Sequence, residues 1–476
     1  MMDKTTKTPF LHIFSYSLGD GAFSLMMNTI WGFAMFFYTQ ALGIRPELTG
    51  LILALPMFWD AIIDPIMGFI TDATRSRFGT RHPHILVGGV LLVLSNFFLW
   101  YVPNVFQTSQ MSMVIYLIVV NLISRTFLAW YYVPYIALGF EISSDYSQRS
   151  KIQSVRCITN MVFNLLFSGI LVWRVFLVNS EGGRDTTIQE NYARMGFWFS
   201  IIILILILIT VFSTKKYIVD SRKSSSVMDK SLNGFVRDMR GIFRDRNALS
   251  VFLFYCTVSC SFVFVSSIQM YVYISFMDLT PSEASYTHSS GMIGFALGSL
   301  LAGAIARKID KKQTIYIGAA INILANISLG LIFLTGLLNP RMFPVGETSV
   351  ASIVFGFFQA SYWFGSGLLL PVIFSMVADI SEINRIKTGL NKDGSYSAVL
   401  AFMMKISSSI ALIFVGKILA YIGFVVGQDA QYPDVTYRLT KMMIFLGIFF
   451  TVLAVFFIVK YPINRKFMEK IRSENL

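Results

Sequence analysis

The sequence predicts an all-α membrane protein with twelve transmembrane helices arranged as two six-helix halves. Three observations carry that prediction. Only 14% of the 476 residues are charged while 55% are hydrophobic, against about 25% charged in a soluble domain. Apolar runs of the ~20 residues that a crossing helix needs recur from end to end. The second half of the chain also repeats polar landmarks of the first. This composition excludes disordered, collagen-like, zinc-finger and disulfide-stapled proteins. The three cysteines, Cys157, Cys256 and Cys260, lie in apolar segments and imply no disulfide framework.

Taken in order, the apolar runs place helices over 14–40, 47–72, 84–103, 111–140, 154–178 and 196–213. Six more follow over 249–276, 288–308, 313–337, 350–378, 397–424 and 439–461. The chain thus divides into an N-terminal bundle, 1–213, a polar middle loop, 214–248, and a C-terminal bundle, 249–476. In the middle loop Phe235, Met239, Ile242 and Phe243 have helical spacing, which predicts a helix lying along the membrane surface. The glycines of the eighth run (Gly291, Gly294, Gly298, Gly303) read as close helix packing and not as a phosphate loop. No cleavable signal peptide is expected, because Met-Met-Asp-Lys leads into a first run that contains an aspartate.

Orientation follows from the basic residues. With both termini cytoplasmic, 29 of the 39 Lys and Arg fall in cytoplasmic segments and 7 in outer loops, as the positive-inside rule requires. The net charge of +13 is thereby explained by topology, and nucleic acid is not an expected partner. The lipid bilayer is.

The halves echo each other. After the second helix comes Asp72-Ala-Thr-Arg75-Ser-Arg77-Phe-Gly79-Thr-Arg81, and after the eighth comes Arg307-Lys308-Ile-Asp310-Lys311-Lys312. The fourth helix ends with Pro134 followed by Glu141-Ile-Ser, the tenth with Pro371 followed by Asp379-Ile-Ser. Two six-helix halves as parallel repeats are the architecture of the major facilitator fold, in which substrate binds at mid-membrane.

Charges inside such helices cost about 2.5–3.5 kcal/mol each on insertion scales, so each needs a reason. Asp20 lies in the first helix, Asp60 and Asp64 in the second, Arg156 at the start of the fifth and Lys405 in the eleventh. Asp60 and Asp64 are four residues apart, which puts their Cβ atoms about 5–6 Å apart on one helix face. Two carboxylates that close in a low dielectric require a cation between them, or a proton on one of them. That is the chemistry of a coupling-ion site, with Na⁺ as a metal ligated by Asp60 and Asp64 only if the ion is not H⁺. Pro65 frees a backbone carbonyl one turn earlier as a further ligand. The alternative is a structural network with Arg156 or Lys405 as counter-charges. Lys405 otherwise links the carboxylates to substrate, and Arg156 otherwise snorkels to the cytoplasmic surface.

Asp72 with Arg75, Arg77 and Arg81 forms a cytoplasmic knot that reads as a latch. Glu141 and Asp379 read as gate residues that pair with basic loops. Trp59, Trp130, Tyr131 and Tyr132 offer stacking faces to a sugar. No metalloprotease, nucleophile-elbow or nucleotide-binding motif is present and the four histidines are scattered, so the expectation is a transporter and not an enzyme, with no cofactor beyond the coupling ion, H⁺ or Na⁺.

The run Trp59-Asp60-Ala-Ile-Ile-Asp64-Pro-Ile-Met-Gly68, followed by Asp72-Ala-Thr-Arg-Ser-Arg77-Phe-Gly79, resembles the second-helix signature of the glycoside–pentoside–hexuronide:cation symporters, the melibiose-permease-like family. The resemblance extends to Gly19-Asp20, Val133-Pro134-Tyr135, Arg156, Ala378-Asp379-Ile380 and Lys405. It implies that Asp60 and Asp64 bind the cation, that Asp20 and Arg156 bind sugar hydroxyls, and that Lys405 lies near both sites. The chain departs from the family pattern in four places. Ile63 replaces an Asn between the aspartates, and Ala129 replaces a Thr cation ligand. Tyr132 stands where a further sugar-binding Asp is found, and Leu370 where a Trp is found. Losing two neutral oxygen ligands favours H⁺ over Na⁺. The resemblance implies a monomeric symporter of a small molecule, a sugar (glycoside, pentoside or hexuronide), in a bacterial inner membrane. A lysophospholipid carrier with the same cation site, or a ligand sensor without flux, is the alternative.

Overall fold

The computed structural model describes residues 9–142, 146–166, 188–218, 241–340, 342–345, 348–388, 393–428 and 431–474. They form two compact units. The first is Met1–Val227 with Val425–Asp429, and the second is Met228–Phe424 with Ala430–Leu476.

The first unit contains α1 (Phe10–Thr29), α2 (Pro46–Ala73), α3 (His82–Trp100), α4 (Gln110–Glu141), α5 (Tyr146–Phe163) and α6 (Gln189–Ser213). The second contains α7 (Arg246–Tyr271), α8 (Pro281–Ile309), α9 (Lys311–Leu329), α10 (Val350–Thr388), α11 (Asp393–Tyr421) and α12 (Pro433–Val459), with a C-terminal helix α13 (Arg465–Glu474). Among the described residues ten of these helices are long and apolar enough to cross a membrane. The other two of the expected twelve are α1, interrupted by Ser15, Ser17, Asp20, Ser24 and Asn28, and α5, whose described part carries Arg149, Lys151 and Arg156.

The repeat read from the sequence is a repeat of packing. In the first unit α4 packs on α2 and α3, α1 on α5 and α6, and α3 on α6. In the second, α10 packs on α8 and α9, α7 on α11 and α12, and α9 on α12. Each seam of one unit recurs in the other with six added to both helix numbers. Even a backbone irregularity repeats. Wider π turns follow α1 at Ile30–Ala34 and Phe37–Ala41, and one follows α7 at Val272–Phe276.

Helix ends extend beyond the apolar runs, because a helix continues to satisfy its own backbone after it leaves the hydrocarbon. The eighth helix starts at Pro281 and not at 288. Thr280 and Glu283 close a reciprocal capping box, with the Glu283 amide donating to Thr280 Oγ1 at 3.3 Å and the Thr280 amide donating to Glu283 Oε2 at 2.9 Å. Gly294 and Gly298 of α8 lie against the carbonyls of Ala360 and Phe364 on α10, so any side chain there would collide with backbone. The stretch is a packing seam at Gly291, Gly294 and Gly298 as expected, but not at Gly303, where a Cβ would meet open space.

One expectation is corrected. Ile242 is buried in the apolar core of the second unit and Phe243 packs against it, so these two residues face protein and not the lipid surface. Their apolar area finds a protein partner in Phe252, whose ring meets Phe243 edge to face at 6.4 Å. Phe235 and Met239 lie outside the described residues.

Candidate functional site

In the first unit an aromatic clamp joins α1 to α4. The Tyr16 hydroxyl donates to the Tyr135 carbonyl at 3.0 Å, the Tyr135 hydroxyl donates to the Tyr16 carbonyl at 3.1 Å, and the Tyr131 hydroxyl donates to the Gly19 carbonyl at 2.8 Å. Gly19 makes this approach possible, since a Cβ there would run into the Tyr135 ring and the Tyr131 hydroxyl.

The clamp fixes the next residue, Asp20, which is 3% exposed. Asp20 Oδ1 accepts from the Tyr132 hydroxyl at 2.9 Å, and Arg156 Nε of α5 lies 3.5 Å from Oδ2. The Tyr132 ring stacks on Phe23 with centroids 3.8 Å apart and planes 10° from parallel. Three residues singled out in the sequence, from three helices, therefore meet. Arg156 Nη1 and, one turn away on α5, Gln153 Nε2 are buried with no hydrogen-bond acceptor. The cluster thus presents a carboxylate, a guanidinium and an amide with spare donors beside an aromatic face. Phe23 and Gln153 were missed in the sequence. An aromatic and a glutamine in an apolar helix give no signal until the tertiary fold puts them beside a charge.

Asp60 is buried on α2 and Asp64, one turn on, is half-buried. Arg125 of α4 donates from Nη1 to Asp60 Oδ2 at 2.9 Å, and both side chains are less than a tenth exposed. Sequence reasoning offered Arg156 or Lys405 as structural counter-charges for the α2 carboxylates. Arg156 pairs with Asp20, and Arg125 supplies a counter-charge to Asp60. The missed signal was Arg125 itself, a lone guanidinium midway along an apolar helix. Along the same seam Ile63, Met67 and Ala129 form a buried cluster with Trp59, Trp130 and Val133. Two of the four positions that depart from the symporter pattern, Ile63 and Ala129, are therefore filled with hydrocarbon. Trp59, Trp130 and Tyr131 are structural here: Trp59 Nε1 donates to Thr126 at 2.9 Å, Trp130 Nε1 to His84 at 2.7 Å, and Tyr131 belongs to the clamp.

Glu141 and Asp379, read from the sequence as gate residues, each pair with a basic residue. Arg81 Nε pairs with Glu141 at 2.9 Å, while Nη1 donates to Thr71 Oγ1 at 3.3 Å. Arg75 and Arg77 are exposed, with Arg77 resting on the Phe78 ring at 4.7 Å. The Asp72 side chain lies outside the described residues. In the second unit Lys311 pairs with Asp379 at 2.5 Å and donates to the Ser375 carbonyl at 3.2 Å. Tyr461, just past α12, is buried, and burial together with Asp379, Asp245 and Asp310 raises the pKa of its hydroxyl, which stays a neutral donor. Lys405 is half-buried on α11 beside the buried Ser407, Ser408 and Ser409.

Known proteins resemble this chain in sequence and in fold. The chain is 23% identical over 445 residues to an isoprimeverose transporter of Lactiplantibacillus pentosus, covering 89% of this chain and 83% of that one. It is 23% identical over 467 residues to a glucuronide carrier protein homolog of Escherichia coli, covering 97% and 94%. The fold matches the inward-open xylose transporter XylE of E. coli with a TM-score of 0.63 at 15% identity, over 98% of this chain and all of that one. The family model for the MFS/sugar transport proteins spans residues 15–465, which takes in both units and each buried charge described above. With two halves packed alike and a polar cluster set into one of them, the chain is a multi-pass membrane transporter and belongs to the MFS/sugar transport protein family.

Proposed function

We propose that this transporter is a symporter that carries a neutral glycoside together with a coupling cation through a bacterial inner membrane, by alternating access. The observation that carries the reading is the Asp20–Arg156–Tyr132 cluster. Its carboxylate and guanidinium cancel in charge, so an ionic ligand meets no net attraction there. Its spare N–H donors on Arg156 and Gln153 want acceptor oxygens, and Asp20 accepts from hydroxyls. A sugar hydroxyl does both. The relatives, an isoprimeverose transporter among them, support a glycoside. An acyl chain would leave the buried donors unpaired, at about 1–3 kcal/mol each, so a lysophospholipid could satisfy them only with its headgroup. Asp60 and Asp64 are the coupling carboxylates in this reading. The donor set suits H⁺, since a proton needs one carboxylate and no oxygen cage. Ion and sugar affinity then rise together and reciprocally.

The test is uptake into proteoliposomes of a labelled neutral disaccharide, a glucuronide and a lysophosphatidylcholine, each with an imposed pH or Na⁺ gradient. Concentrative uptake of the neutral glycoside down a pH gradient, lost in Asp60→Asn while exchange persists, is expected. Uptake of the lysolipid alone, or full concentrative uptake by Asp60→Asn, overturns the reading.

A further inference from the structure

A run of hydrogen bonds crosses three helices of the first unit. Trp130 Nε1 of α4 donates to His84 Nδ1 of α3 at 2.7 Å. His84 Nε2 lies 2.7 Å from Thr74 Oγ1, at the residue that ends α2. An indole N–H only donates, so Nδ1 must offer a lone pair. The Thr74 hydroxyl gives its own proton to the Ile70 carbonyl at 2.8 Å, so towards His84 it accepts. Both neighbours therefore demand one species, the neutral imidazole with its proton on Nε2. A further proton has one place to go, Nδ1. There it would set N–H against N–H and leave the Trp130 indole without its acceptor.

His82, two residues earlier, is arranged differently. Its Nε2 faces Thr214 Oγ1 at 3.0 Å, and that hydroxyl donates to the Thr210 carbonyl at 2.7 Å. Nε2 is the donor there in the neutral and the charged ring alike, so protonation keeps this bond. The described charged groups at the same ends of the packed helices are Arg81 and the exposed Arg75, Arg77, Lys215 and Lys216. Arg81 is close enough to act on the His84 ring and pairs with Glu141.

We infer that His84 is a regulatory proton-binding site, distinct from the α2 carboxylates: unprotonated, it pins α4 to the α2–α3 turn, and a proton taken up at Nδ1 breaks that pin. With both termini cytoplasmic, the site reads cytoplasmic pH in the range where imidazole titrates, about 6.5 for the free side chain. The pin joins helix ends that Arg81 and Glu141 also join, so acidification loosens the gate end of this unit. The inference requires neither a particular substrate nor a particular coupling ion.

The test uses the detergent-purified full chain without sugar, taken from about pH 7.5 to about pH 5.5 at constant ionic strength. A charged imidazole against an indole quenches its emission. Wild type is therefore expected to lose tryptophan fluorescence along a one-proton titration. That response should vanish in Trp130→Phe and in His84→Gln, whose amide oxygen accepts and whose NH₂ donates in place of the ring. It should persist in His82→Gln. The native contacts hold the unprotonated ring while the unfolded chain takes the proton, so stability is lost as pH falls. The thermal midpoint of wild type should thus drop further on acidification than that of His84→Gln. If His84→Gln does not fold, Trp130→Phe, which removes the N–H opposing Nδ1, should flatten the thermal profile in its place. A fluorescence response that His84→Gln retains overturns the inference. So do coincident thermal profiles of wild type and His84→Gln. Because no sugar is present, a failed glycoside uptake assay leaves the result standing, and the two readings fail separately.

Discussion

At Asp20 one carboxylate is held by contacts of different kinds: a hydroxyl donor on Tyr132, a guanidinium on Arg156, and a backbone position set by the Tyr131 and Tyr135 rings around Gly19. Tyr132→Phe removes only the donor and keeps the stack on Phe23. A hydrogen bond to a charged group is worth about 1.5–3 kcal/mol, so the thermal midpoint should fall and glycoside affinity should drop about tenfold or more. Unchanged affinity in a binding titration would mean that the Tyr132 hydroxyl serves packing and not the ligand. Asp20, Asp60, Asp64 and Arg156 were legible in the sequence as costly charges, because a charge in an apolar run stands out without any structure. Their partners were not. Asp60 and Arg125 are 65 positions apart, and only helix packing decides which of several counter-charges faces a given carboxylate.

Among the elements, helices were legible wherever the apolar run was long, and their ends were not. The eighth helix shows why. Its first two turns, Pro-Ser-Glu-Ala-Ser-Tyr-Thr, are too polar for a hydrophobicity reading, yet the Thr280–Glu283 box starts the helix there. Thr280→Ala should cost about 1 kcal/mol, read as a lower unfolding midpoint with glycoside affinity unchanged. The Ile63–Ala129 contact likewise needed the packed seam to gain meaning. In sequence these are two substitutions in a symporter pattern; in the fold they close one apolar cluster beside Asp60.

For the whole molecule, the decisive feature is that one set of five helix seams is used twice. The ion pairs Arg81–Glu141 and Lys311–Asp379 occupy corresponding places in the two sets, each joining the segment that enters the third helix of a unit to the end of its fourth. Glu141→Gln and Asp379→Asn should therefore act alike. Each should change the maximal transport rate severalfold and leave the substrate affinity of the Asp20 cluster nearly unaltered. A change in KM with kcat unchanged would assign these residues to binding and not to gating.

The sequence by itself determined that the chain is a membrane-embedded helical repeat. Hydropathy and helix period are properties of local segments, and an internal echo needs no coordinates. It also marked Asp20, Asp60, Asp64 and Arg156, because burying a charge is expensive whatever surrounds it. Only the tertiary structure decided that Asp20 meets Arg156 and Tyr132, and that Asp60 meets Arg125. The contact between a carboxylate on one helix and a guanidinium on another depends on rotation and depth, which packing at Gly19 and along the Ile63–Ala129 seam sets to within a few ångströms.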